Sequence, residues 1–316
     1  MSPGSDSWVR PLGATSLQVT ALSVGGAPLG SMPENFGHEL AYADGVALAA
    51  YVLDSPVRVL DTANGYSGGE SERRIGAAIA RRGGLPRDFL VATKVDAAGK
   101  DYSGERVRAS VAESKQRLGL DHLPLVFLHD PEYHDFDELT QRGGAIDTLM
   151  ALRDAGEITH VGLAGGSVQE MSRYLALGGF EVLLVHNRWT LVDRSATELI
   201  AQAADAGIAV VNAAIYGGGI LAKPGSTTNY GYRPASETTL QAISALQQRC
   251  TEHSTDLATA ALQASVRDAR ISTTVVGISK PSRLDALLRS LATSLPESLF
   301  DELAELLPSR DHWLDF

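Results

Sequence analysis

The chain has a single cysteine, Cys250, and that scarcity excludes an internal disulfide and any thiolate cluster around a metal. Cys250 falls in a helical pattern, where a buried, inert thiol is the expected reading. Long apolar runs are missing too: no uncharged stretch is long enough to span a bilayer. The first residues, "MSPGSDSWVRPLG", hold neither a basic leader nor an apolar segment, so no secretory signal is readable and a cytoplasmic location is expected. Positive charge is in deficit, with 27 Lys and Arg against 38 Asp and Glu and a formal charge of −11. Such a surface opposes nucleic acid and acidic membranes, which leaves a small molecule as the expected partner. No GxGxxG follows an apolar run, so a Rossmann domain is not expected. Internal repeats, low-complexity tracts and linker-like stretches are absent as well.

What is present is an alternation. Runs rich in Val, Leu and Ile recur at 21–26, 57–61, 89–95, 123–129, 158–164, 181–186, 207–212 and 272–277. Between them lie segments with helical spacing. In "ESERRIGAAIARRGG", Ile75, Ala78 and Ile79 share a face and Gly83 supplies the stop, while "ERVRASVAESKQRLG" and "SATELIAQAADAG" end in Gly119 and Gly207. Continuous apolar runs indicate strands covered on both faces, as in a parallel sheet flanked by helices. Eight such units predict an α/β fold, a closed (β/α)8 TIM barrel, and a chain of 316 residues fits one unit spanning 1–316.

In a barrel the C-terminal ends of all strands converge on one mouth. Asp61 ends the second run, Lys94 lies near the end of the third, His129 ends the fourth, and His186 with Asn187 ends the sixth. Alone, each has an ordinary reading: a capping Asp, a snorkelling Lys, a hydrogen-bonded His. Together they support a specific chemistry. Tyrosine has a pKa near 10, so only about one phenol in a thousand is ionised at neutral pH. An ammonium roughly 4 Å from Tyr66 contributes about 4 kcal/mol, enough to bring deprotonation near neutrality. Lys94 can be that cation, with Asp61 keeping it charged, and His129 is expected as a neutral hydrogen-bonding group opposite the reacting oxygen. Ser67 with Glu70 predicts a capping box for the following helix.

These residues resemble the aldo-keto reductase superfamily: "LDTANGY" carries Asp61 and Tyr66, "VATKV" carries Lys94, and "VFLHDP" carries His129, in the order of that family's catalytic tetrad. The likeness extends to "RPLGATSLQVTALSVGGAPLG", "DAGEITHVGLAG" and "VVGISKPSRLDAL", and implies an N-terminal hairpin and extra C-terminal helices. "VHNRWTLVDRSA", "IYGGGILA" and "NYGYRPA" are most similar to the aldose 1-dehydrogenase branch, which includes D-threo-aldose, L-fucose and pyridoxal dehydrogenases. The resemblance implies NAD or NADP across the barrel mouth, hydride exchange at a sugar's anomeric carbon to give a lactone, and Tyr66 as general acid and base. It implies cofactor contacts from Gly26, Asp61, Ala164, Gly165 and His186, from Tyr216, Gly217, Gly218, Gly219 and Leu221 at the pyrophosphate, and from Gly277, Ser279, Lys280 and Arg283 at the adenosine end.

The chain also departs from the family pattern. The Ser-Asn pair and the Gln that hold the nicotinamide amide read Ala164, Gly165 and His186, and a stacking tyrosine reads Ala213. The Lys-Ser pair for a 2′-phosphate reads Gly277 and Ile278, which favours NAD, while Lys280 and Arg283 remain as phosphate partners. The segments 26–45 and 223–234 are expected to choose the substrate, with an aldose, a ring aldehyde such as pyridoxal and a simple ketone all open. "HDPEYH" offers His129, Asp130, Glu132 and His134, yet no bound metal is expected. The alternatives from other classes are a metal-assisted barrel hydrolase or isomerase using Asp61, His129 and His186, and a non-catalytic module that binds the cofactor as a redox sensor.

Overall fold

The computed structural model describes residues 2–32 and 39–315. Residues 33–38, inside the predicted substrate segment 26–45, lie outside the described residues. The chain opens with a hairpin of β1 (Val9–Pro11) and β2 (Gln18–Thr20), followed by β3 (Leu22–Gly25), α1 (Tyr42–Leu53), β4 (Val59–Asp61), α2 (Glu70–Arg82), β5 (Leu90–Val95), α3 (Gly104–Leu118) and β6 (Leu123–His129). A short α4 (Phe136–Thr140) precedes α5 (Ala145–Asp154), β7 (Ile158–Gly165), α6 (Val168–Leu175), β8 (Val182–His186), α7 (Thr197–Asp205) and β9 (Ala209–Ala213). A second hairpin, β10 (Asn229–Tyr230) and β11 (Arg233–Pro234), leads to α8 (Glu237–Glu252), α9 (Leu257–Arg267), β12 (Ile271–Gly277), α10 (Pro281–Ala292) and α11 (Glu297–Glu305). Strands β3 to β9 and β12 are parallel neighbours, and β12 pairs with both β3 and β9, so the sheet closes into an eight-stranded barrel.

The eight apolar runs become these eight strands because each is buried on both faces. In β6, Val126 and Leu128 join the layer beneath the helices, while Leu125 and Phe127 fill the barrel interior. The same two-residue period puts Val59, Leu90, Ala92, Val182 and Leu184 inside. Continued one step, that phase turns Asp61, Lys94, His129 and His186 inward at the strands' C-terminal ends. At the opposite end the first hairpin forms a floor: Leu12 and Val19 are almost fully buried in the interior cluster, and Arg10 donates to the carbonyls of Ile271 and Val266.

Outside the barrel, α8 and α11 pack with α9 on a separate apolar cluster that includes Cys250, and burial pushes that thiol up to about 11. Among the described residues no helix is long and apolar enough to cross a membrane. The helix stops read as expected, with Gly83 and Gly119 left-handed beyond α2 and α3. The capping box at Ser67 and Glu70 is corrected. Residues 66–69 form a separate 3-10 turn, α2 starts after a left-handed Gly69, and the Ser67 hydroxyl donates to the Ser31 carbonyl instead.

Candidate active site

The centre of the mouth is a lysine with all three protons engaged. Lys94 Nζ donates to Asp61 Oδ2 at 2.7 Å, to the Thr62 carbonyl at 2.8 Å and to the Tyr66 hydroxyl at 3.1 Å. Lys94 is 1 % exposed and Asp61 5 %. Burial opposes the ammonium, but Asp61 and the Tyr66 oxygen overcome that cost and raise the lysine above its usual range. Since the Tyr66 hydroxyl accepts from Lys94, its own proton is left to point elsewhere.

The pKa of that phenol requires a correction. Instead of falling toward neutrality, Tyr66 is pushed well above its ordinary value: burial dominates, Lys94 pulls the other way, and Asp61 and Asp130 add to the rise. The site therefore holds an un-ionised phenol, poised as a proton donor.

His129 flanks Tyr66 edge-on, with ring centroids 5.6 Å apart at 77°. Its Nδ1 lies 2.6 Å from Asp96 Oδ1, and its Nε2 is 3.8 Å from Asp130 Oδ2. Burial opposes charge on the ring, but Asp96 and Asp130 outweigh it and raise the imidazole above its usual range. The expected neutral histidine is thus corrected to one that keeps its proton to higher pH. Asp130 is influenced in turn: burial works against its charge, and the imidazoles of His129 and His186 hold its carboxyl down at about 2.

Glu132 explains the departure at Gly165. Its Oε1 accepts from the Gly166 amide at 2.5 Å and the Ser167 amide at 3.2 Å, and a Cβ on Gly165 would sit 2.5 Å from Oε2. The carboxylate fills the space that a side chain at 165 would need. One polar atom each from Asp130, Glu132 and His186 gather within 4.8 Å, and Asp130 Oδ1 and Glu132 Oε2 are shielded from solvent without a donor. This rim is rich in acceptors and suits a ligand bearing hydroxyl or amide hydrogens. Tyr232, from the segment 223–234, reaches the His186 ring, centroids 6.4 Å apart. The trio of the hydrolase alternative does not come within ligating distance: among the described residues the group that does is Asp130, Glu132 and His186.

Around the mouth the remaining predicted residues form a second region. The Gly26 amide donates to the Asp61 carbonyl at 2.6 Å. Gly217, Gly218 and Gly219 are all left-handed in a 3-10 turn after β9, and nothing approaches a Cβ built on Gly218 or Gly219 within 4 Å, so a ligand can reach that backbone. The expectation that this whole run offers its amides is corrected in part. The N–H of Gly217 is used by Ala214, and those of Gly219 and Leu221 by Tyr216. The turn follows β9, whose Ala213 pairs with Val275 of β12, so it stands next to the segment after β12. There Gly277, Lys280 and Arg283 are exposed and Ser279 is half-buried. Lys280 caps α10 without a side-chain bond, and among the described residues neither Lys280 nor Arg283 joins an ion pair. An open glycine turn beside a helix start and two free cations fits the phosphates of a dinucleotide.

Asp96, Asp130, Glu132 and Tyr232 were not assigned roles from the sequence. Asp96 had a signal, since it continues the inward phase of Leu90, Ala92 and Lys94.

Comparison with known proteins agrees with this geometry. The profile of the Aldo/keto reductase family matches residues 21–308. The chain is 30 % identical to D-threo-aldose 1-dehydrogenase of Pseudomonas sp, over 94 % of this chain and 97 % of that one. It is 29 % identical to pyridoxal 4-dehydrogenase of Microbacterium luteolum, over 93 % and 96 %, and to L-galactose dehydrogenase of Arabidopsis thaliana, over 88 % and 86 %. A solved aldo-keto reductase from Bacillus halodurans, in its holo form, shares the fold with a TM-score of 0.79 at 22 % identity, covering 95 % of this chain and 96 % of that one.

Proposed function

Because the chain belongs to the aldo/keto reductase family, we propose that it exchanges hydride between a nicotinamide dinucleotide and a small carbonyl or hydroxyl substrate, with an aldose oxidised at its anomeric carbon as the preferred case. The observation that carries this reading is the Tyr66 hydroxyl, accepting from an ammonium whose other two protons are held by Asp61 and Thr62. When bound, the dinucleotide supplies the hydride chemistry. The chain's residues manage the proton. Toward an alcohol product, Tyr66 gives its proton to the carbonyl oxygen, and Lys94 stabilises the phenolate left behind. Toward a carbonyl product, the same phenolate takes the hydroxyl proton. The glycine turn at 217–219, with Lys280 and Arg283, would hold the phosphates, and Gly277 with Ile278 favours NAD over NADP. The acceptor-rich rim of Asp130 and Glu132 matches the hydroxyls of a sugar, and aldose and galactose dehydrogenases among the relatives support that class. This reading takes residues 1–316 as one working unit in the cytoplasm.

The test is a panel of L-fucose, D-arabinose, L-galactose and pyridoxal with NAD and with NADP, following reduced-nicotinamide absorbance. At least one substrate should give turnover, faster with NAD. Tyr66→Phe should lower turnover by about a hundredfold or more and leave dinucleotide affinity unchanged, the scale of general acid-base catalysis. Full activity in that variant, or activity abolished by a chelator, would end the reading.

A further inference from the structure

One carboxylate at the mouth holds both the ring of His129 and the backbone of the turn that carries Tyr66. Asp96 follows β5, two residues beyond Lys94, and its backbone is pinned by α3: its N–H donates to the Ser110 hydroxyl at 3.2 Å and its carbonyl accepts from Arg106 Nε at 3.2 Å. Its side chain is divided between two partners. Oδ2 accepts the Gly65 amide at 2.6 Å, and Oδ1 lies 2.6 Å from His129 Nδ1. Gly65 precedes Tyr66 directly, and a Cβ there would sit 2.9 Å from Asp96 Cγ, so only glycine lets the turn dock this closely. Asp96 thus anchors the turn that carries Tyr66 and the ring that flanks it.

We propose that Asp96 is a positioning residue that fixes the tautomer of His129, placing a proton on Nδ1 so that Nε2 serves the substrate oxygen as an acceptor when the ring is neutral and as a donor when it is charged. The argument is one of inventory. An ionised carboxylate only accepts, so the His129 nitrogen beside it must carry hydrogen, and in a neutral ring the other nitrogen then has none. A neutral His129 can accept from a hydroxyl substrate, whereas only the imidazolium can donate to a carbonyl. Protonation of one ring therefore biases the direction that the site supports. The groups facing that ring are Lys94 on β5, Asp96 just after it, Tyr66 on the turn after β4, and Asp130 just after its own strand, with His186 beyond Asp130 and the Tyr102 hydroxyl on the His129 backbone. Among them the two carboxylates prevail, which agrees with the raised imidazole.

The inference rests on the oxidoreductase reading, so its test includes a readout independent of turnover. In 15N-labelled protein at alkaline pH, long-range proton–nitrogen spectra should show His129 protonated at Nδ1. In Asp96→Asn, whose amide can donate to Nδ1, the ring should become protonated at Nε2, and its titration midpoint should fall by about one pH unit or more, the scale of losing an adjacent opposite charge. The pH limb governing carbonyl reduction should move down by the same amount. An Nε2–H tautomer in the unmodified protein overturns the role of Asp96, and this holds even if the variant does not fold. An unchanged midpoint in a folded Asp96→Asn overturns it equally. Absence of nicotinamide-dependent turnover alongside the Nδ1–H tautomer overturns the functional reading and with it the directional bias, leaving the pairing itself in place.

Discussion

Lys94 and Asp61 depend on each other because both are buried, and a buried charge without its partner costs far more than the pair. Lys94→Met should lower stability by about 3–5 kcal/mol, the scale of breaking a buried ion pair, and Asp61→Asn in the same chain should restore part of it, as read by denaturant unfolding. The variant also removes the only influence named above that lowers the Tyr66 pKa besides the hydrogen bond from the same lysine. Its phenol therefore ionises at still higher pH, and the optimum for alcohol oxidation should move further into the alkaline range. An unchanged pH profile would contradict that coupling. At this scale the identities of Asp61, Tyr66, Lys94 and His129 were legible, since residue type and strand-end position are sequence properties. Their protonation was not, because burial outweighed the ammonium at Tyr66 and two further carboxylates reversed the expectation at His129.

At the level of elements, the turn bearing Tyr66 is supported from beneath by two helices. Arg117 of α3 donates to the Asn64 carbonyl at 2.9 Å and to Glu72 of α2 at 3.1 Å, and Thr93 of β5 donates to the same fully buried Glu72. The helices meet at Gly76, where a Cβ would lie 2.0 Å from the Arg117 carbonyl oxygen. Gly76→Ala should force α2 and α3 apart, lowering stability by about 1–3 kcal/mol as overpacking does, and should lower turnover by shifting Arg117 from the Tyr66 turn. Thermal melting and steady-state kinetics read the two effects, and a variant with both unchanged would refute the link. The strands and helix stops were legible here from apolar runs and terminal glycines. The start of α2 was not, because the Ser67 hydroxyl prefers a carbonyl 36 residues away, Ser31, to its own helix.

On the scale of the molecule, the barrel separates stability from chemistry along its axis. The first hairpin seals one end with Leu12 and Val19, and the polar groups gather at the other. Leu12→Ala should cost about 2–5 kcal/mol, as for other buried leucines, and lower the melting temperature while kcat/KM of the folded protein stays unchanged. A large loss of catalytic efficiency without loss of stability would show that the floor also shapes the mouth. The closed barrel was readable from eight runs, but the acceptor-rich rim was not, because His186 lies more than fifty residues beyond the loop that carries Asp130 and Glu132 and only closure brings them together. The lysine at the mouth has a last consequence for the working lifetime of the whole molecule. An amine with a lone pair, placed where aldehydes visit, condenses with them to an imine and is lost. Lys94, fully protonated and bonded on every side, has no electron pair to give, so the group that tunes the phenol is also protected from the compounds passing beside it.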